Sequence, residues 1–142
     1  MKKIIFFSFT FISISVFASA QKLKEAAVPA ATKTSFKTKF PGTMGQWEKE
    51  DGNYEVTFKE NGKSRSAIID SKGTIIEIET DIVSTELPST ALAYIKKHYT
   101  NPKIKGAAKV EKPNGTTNYE ATINGKDLLF DTNGTFIKAS KE

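Results

Sequence analysis

The chain has 142 residues, a formal net charge of +5, a single histidine and no cysteine. Thiol catalysis, thiolate metal sites and disulfide staples are therefore excluded. Its basic residues are lysines apart from Arg65; nucleic-acid readers favour arginine for bidentate and stacking contacts, so nucleic acid is not expected as a partner.

Residues 1–20 read as a secretory signal. Lys2 and Lys3 precede an apolar run from Ile4 to Phe17, and Ala18-Ser19-Ala20 supplies a small-x-small cleavage site before Gln21. The run is shorter than the roughly twenty residues of a membrane-spanning helix, so no span is expected after cleavage. Losing Lys2 and Lys3 lowers the net charge to +3, and the mature chain is expected in the periplasm or the medium. What remains is one domain's length, which can bury about two-thirds of its unfolded surface without disulfides.

Residues 21–27 read as a short flexible lead. Val28, Thr32, Phe36 and Phe40 then recur every four residues, the spacing of one helical face. Pro29 suits the first turn of that helix, and Pro41-Gly42 stops it. Four strands are predicted next, over Thr43–Glu50, Asn53–Glu60, Lys63–Asp70 and Thr74–Thr80. Asp51-Gly52 and Asn61-Gly62 are dipeptides that two-residue hairpins prefer, because both central positions need positive φ. Asp70-Ser71-Lys72-Gly73 fits a type I turn followed by a left-handed glycine. Within the second strand Tyr54, Val56 and Phe58 alternate with Glu55, Thr57 and Lys59, the mark of a half-buried strand.

The whole order then recurs. Leu87-Pro88 mirrors Val28-Pro29, and Ala91, Ile95 and Tyr99 repeat the apolar stripe until Pro102. Asn114-Gly115, Asn124-Gly125 and Asp131-Thr132-Asn133-Gly134 mark three hairpins again. The offset is 59 residues at Pro29/Pro88, 63 at Asn61/Asn124 and 61 at Asp70/Asp131, a drift that small loop insertions produce. The reading is an α+β domain of two tandem helix-plus-four-strand repeats, at 28–80 and 87–142, joined by a linker at 81–86. One helix per four antiparallel strands covers a single face of the sheet and leaves the other open.

In "IIDSKGT" and "LFDTNGT" the aspartates are expected to accept hydrogen bonds from their own turns. A calcium loop needs further oxygen ligands at alternate positions, where Ser71, Lys72, Thr132 and Asn133 stand instead. No metal and no cofactor are expected. His98 has no nucleophile or orienting partner in a recognisable motif and reads as a surface residue. Glu77 and Glu79 share a strand face. Paired carboxylates can hydrolyse glycosides across a cleft, but neighbours on one strand read as a solvated stripe, and an enzyme is not expected. Aligning Pro41 with Pro102 sets Trp47 at the position of Ala108, on the parity of Ile104 and Val110, which places it in the core.

The stretches "VPAATKTSFKTKFPG", "QWEKEDGNYEVTF", "NGKSRSAIIDSKGTIIEIE", "LPSTALAYIKKHY" and "NYEATINGKDLLFDTNGTFIK", in that order, resemble the exported PepSY-like domains, also described as beta-lactamase-inhibitor-like. The resemblance spans Val28 to Lys138. It implies a continuous curved antiparallel sheet with helices on one side, a periplasmic or secreted location, and binding to or inhibition of another protein.

With Tyr54, Val56, Phe58, Ile76 and Ile78 turned to the helices, strand alternation sends Glu55, Thr57, Lys59, Ile75, Glu77 and Glu79 outward. In the second repeat it sends Glu120, Thr122, Phe136 and Lys138 outward. This mixed surface is the expected binding face, with Ile75 and Phe136 as its apolar anchors. The expected function is that of an exported, non-enzymatic binding module for another exported protein or peptide, with inhibition as one form of that binding. The alternative is a small-ligand or envelope-associated binding protein.

Overall fold

The computed structural model describes residues 21–141; the signal read at 1–20 lies outside them. Nine strands and two helices follow in chain order: β1 (Gln21–Leu23), α1 (Ala30–Lys39), β2 (Gly45–Glu50), β3 (Asn53–Glu60), β4 (Lys63–Ile69), β5 (Ile75–Asp81), α2 (Ser89–His98), β6 (Ile104–Glu111), β7 (Thr117–Ile123), β8 (Lys126–Phe130) and β9 (Phe136–Lys141). The strands form one curved antiparallel sheet whose spatial order is the chain order, β1 to β9. The fold is thus α+β, two helix-plus-four-strand repeats side by side with both helices on one face.

The lead expected to be flexible at 21–27 takes regular structure instead. β1 pairs with β2, setting Leu23 opposite Trp47, and Glu25–Ala27 forms a 3-10 turn. Leu23 packs on the first core cluster. That apolar contact is what a single leucine among lysines did not advertise. The linker is also shorter than read, because β5 runs to Asp81 and Ser84–Glu86 winds into a second 3-10 turn.

The hairpin dipeptides behave as expected at three sites. Asp51-Gly52, Asn61-Gly62 and Asn124-Gly125 all have both residues at positive φ. Asn114-Gly115 does not. Only Gly115 is left-handed there, and the Gly115 N–H donates to the Lys112 carbonyl at 3.0 Å. Pro113 holds its own φ near −65°, so the chain makes a type I turn from Lys112, followed by the left-handed glycine.

Each helix packs an apolar cluster against the sheet. In the first repeat Phe36 meets Phe58 and Trp47 edge-on, at ring distances of 5.2 and 5.5 Å. Trp47 is therefore core, as expected, though its partner position is Ala107 rather than Ala108: Trp47 faces Val56 as Ala107 faces Ala121. The slip arises because the chain between the proline and the strand is two residues shorter before β6 than before β2, and a bulge between Ile104 and Gly106 restores one of them. In the second repeat Ala91 and Ile95 of α2 cover Ala121, Ile123, Leu128 and Phe130.

The repeated Asp-x-x-Gly-Thr turns are architecture. Asp70 Oδ1 accepts the N–H groups of Lys72 and Thr74 at 2.9 and 2.8 Å, and Asp131 does the same for Asn133 and Thr135 at 2.9 and 2.8 Å. The turns also carry the helices. Thr32 Oγ1 donates to the Asp70 carbonyl at 2.7 Å and Ser35 Oγ to the Gly73 carbonyl at 2.6 Å.

Candidate functional site

The open face starts from strand alternation and is then corrected by two bulges. Across β4 and β5 the register pairs Ile68 with Glu77 but Ile69 with Ile75, leaving Ile76 as the extra residue. Across β8 and β9 it pairs Leu129 with Lys138 but Phe130 with Phe136, leaving Ile137 as the extra residue. One added residue reverses the facing of everything beyond it. Ile75 and Phe136, expected outside, therefore lie on the helix side. Ile75 packs on the first core cluster, and Phe136 stacks on Tyr94 of α2 at 4.5 Å and 7°. Ile76, expected inside, is exposed instead, as is Ile137.

The other expected residues share the open face, since register sets them opposite one another. Glu55 lies across from Ile68 and Ile68 from Glu77; Thr57 lies across from Ser66 and Ser66 from Glu79. Glu120 faces Leu129, which faces Lys138. These residues are not gathered in one place. Glu77, Glu79, Glu120 and Lys138 line a single cleft of about 170 Å³, whereas Glu55, Thr57, Lys59 and Thr122 do not line it.

The cleft also contains residues that alternation had assigned elsewhere or passed over. Val110 forms part of its floor, only 3% exposed although no helix covers that face. Leu129 adjoins it, and Asn118 on the wall is 7% exposed. Side chains this deeply buried on an uncovered face mean that the sheet is concave around β5, β6 and β7. The run Leu128-Leu129-Phe130 was the available signal, because a half-buried strand would not place an apolar residue on both faces.

Burial and crowding set the electrostatics. Glu79 is pushed up to about 7, first by burial and then by Glu120 and Glu77. Glu120 rises to about 6, through burial and then Asp127, against a smaller opposing pull from Lys138. Burial and the neighbouring Glu55 also raise Glu50. The pair Glu77 and Glu79 is thus no fully solvated stripe, because desolvation acts strongly on Glu79. The ion pairs among the described residues lie elsewhere: Lys37–Glu25, Lys63–Glu86, Arg65 with Glu60 and Glu111, and Lys109–Glu111. Among the described residues no group of three or more acidic or histidine side chains could hold a metal ion. His98 lies outside the cleft, exposed and stacked on Tyr94 at 4.2 Å.

The sequence pattern of a family described as beta-lactamase-inhibitor-like, PepSY-like, matches residues 15–77 and again residues 52–138. Several crystal structures share the fold. A DUF2874 family protein from Bacteroides uniformis aligns at 19% identity and a TM-score of 0.70, over 80% of this chain and 88% of its own. A candidate periplasmic protein from Bacteroides eggerthii aligns at 15% identity and a TM-score of 0.71, over 80% and 88%. A BLIP-like protein from Bacteroides fragilis aligns at 22% identity and a TM-score of 0.64, over 80% and 86%. At these identities the likeness establishes the fold. No curated protein matches the sequence.

Proposed function

Because the chain belongs to the PepSY-like, beta-lactamase-inhibitor-like family, we propose that it is an exported, non-enzymatic binding module that takes a protein or peptide on the open face of its sheet. The observation that carries this reading is the uncovered concavity. Val110 and Asn118 lie there at the bottom of a cleft that no helix covers, so a convex partner meets a preformed hollow without any rearrangement of the sheet. On the opposite face the space between sheet and helices is filled by two side-chain clusters, which favours an open recognition surface over an enclosed small-ligand pocket.

Two further points support the reading. The Bacteroides eggerthii protein described as a candidate periplasmic protein shares the fold, in keeping with the signal read at 1–20. Glu79 and Glu120 are both shifted upward by the same causes, burial and like charge, whereas an acid–base pair needs environments that drive its two members apart. Inhibition is the form this binding takes when the docked surface of the partner is an active site.

The test is to crosslink the tagged chain, residues 21–142, in the exported fraction of its source cell and identify what it captures by mass spectrometry. Leu129→Lys, which puts a charge into the cleft, serves as the control once its thermal unfolding matches the parent. One protein captured by the parent and lost in the variant is the expected result. Equal capture by both would move the site off this face, and no capture would favour a small ligand.

A further inference from the structure

We propose, building on the open-face reading, that the occupant of the cleft is a basic protein segment that lays a lysine or arginine side chain between Glu79 on β5 and Glu120 on β7. The inference starts from charge. The chain as a whole is positive, +5 over its full length, yet Glu77, Glu79, Glu120 and Asp127 converge on one cleft. The ion pairs among the described residues use other acids, Glu25, Glu60, Glu86 and Glu111. Lys112 and Lys138 also line the cleft, but they offset only part of this charge. None of the four cleft acids has an ion-pair partner among the described residues, Asp127 accepting instead from the Thr122 hydroxyl, and above about pH 7, where Glu79 and Glu120 are ionised, the cleft is complementary to a positive surface.

The chemistry of the walls narrows the guest. Val110 and Leu129 supply an apolar floor, which suits the hydrocarbon stem of a long basic side chain while its head reaches the carboxylates. Asn118 adds an acceptor. It is more than nine-tenths buried and lines the cleft, and a carboxamide oxygen is of the kind that accepts from an incoming N–H donor. A bare metal ion is a poorer match. The carboxylates are spread along the cleft, and no three of the described acids are placed to share one ion.

The experiment titrates the chain at about pH 8, where Glu79 and Glu120 are ionised, with a short lysine peptide and, separately, with a glutamate peptide of the same length, at low and at raised salt. The expected result is binding of the lysine peptide only, weakened by salt and weaker by about tenfold or more in the double variant Glu79→Gln, Glu120→Gln. Glutamine keeps the side-chain volume and removes charges that burial disfavours, so the variant should fold, and thermal unfolding verifies this. Equal binding by parent and variant, or equal binding of both peptides, would overturn the proposal. So would concentration-dependent self-association abolished by the same substitutions, which would make a second copy the occupant. If the crosslinked partner is lost on Leu129→Lys while the lysine peptide fails to bind, the open-face reading stands and the basic occupant falls.

Discussion

Gly73 and Gly134 lie at φ 88° and 81°, where a side chain is strained, and each also abuts a helix. A Cβ on Gly73 would come within 2.8 Å of the Ala31 carbonyl oxygen, and one on Gly134 within 2.7 Å of the Ala91 nitrogen. The glycine of each Asp-x-x-Gly-Thr turn therefore closes the turn and also lets the helix sit down on it. The repeats solve the rest of the docking differently. Thr32 and Ser35 anchor α1 by hydroxyl bonds, whereas Ala91 and Tyr94 take the corresponding positions on α2 and leave the work to packing, with Tyr94 stacked on Phe136. Gly134→Ala should cost about 2 kcal/mol or more, from left-handed strain plus overpacking. Denaturant unfolding measures this, and a loss below about 0.5 kcal/mol would mean that the helix retreats without penalty.

At the scale of elements, the strands and most of their turns were legible because the dipeptides Asp-Gly and Asn-Gly constrain backbone angles directly. The Asn53–Glu60 strand is found at its expected bounds. The bulges were not legible, because an extra residue leaves no mark in alternation when it is itself apolar and sits beside an apolar neighbour, as Ile76 does beside Ile75. The same holds at Phe136-Ile137. Both bulges follow an Asp-x-x-Gly-Thr turn, so the irregularity is duplicated with the fold. This makes neighbouring positions respond in opposite ways. Phe136→Ala should destabilise by about 2–3 kcal/mol, because a ring packed on Tyr94 and Phe130 is removed. Ile137→Asp should stay within about 0.5 kcal/mol of the parent, since that side chain is exposed. Chemical denaturation of both variants checks the register, and a reversed order would refute it.

Across the whole molecule, four of the ten residues that line the cleft were readable. Glu77, Glu79, Glu120 and Lys138 follow from strand parity, but Val110 and Asn118 become deep only through the curvature of three strands together. That same curvature gives the fold a pH dependence. Glu79 and Glu120 have folded pKa values of about 7 and about 6, above the usual 4.5, so the folded state holds protons that the unfolded state releases. Their contribution to stability is full below about pH 4.5 and is lost as pH rises through 6 and then 7. Asp70 works in the other direction, because the N–H of Thr74 holds its carboxyl below the usual range; its contribution is lost as pH falls through that lowered value. The melting temperature should therefore decline between about pH 5 and pH 8, and Glu79→Gln should flatten the decline. Parallel slopes for parent and variant would show that Glu79 titrates in the folded state as a solvated acid does.

The agreement of strand order with chain order bears on how the molecule is made. A chain delivered N-terminus first can add each new strand to an edge that already exists, and no strand after β1 has to wait for a later one to pair. The helices must wait, since the carbonyl groups that receive Thr32 and Ser35 arrive 38 residues later and the strands that Ala91 and Ile95 cover also follow α2. Assembly of this kind grows the sheet at one edge only, while the three-residue β1, once paired with β2, stays as the short outer strand of the other.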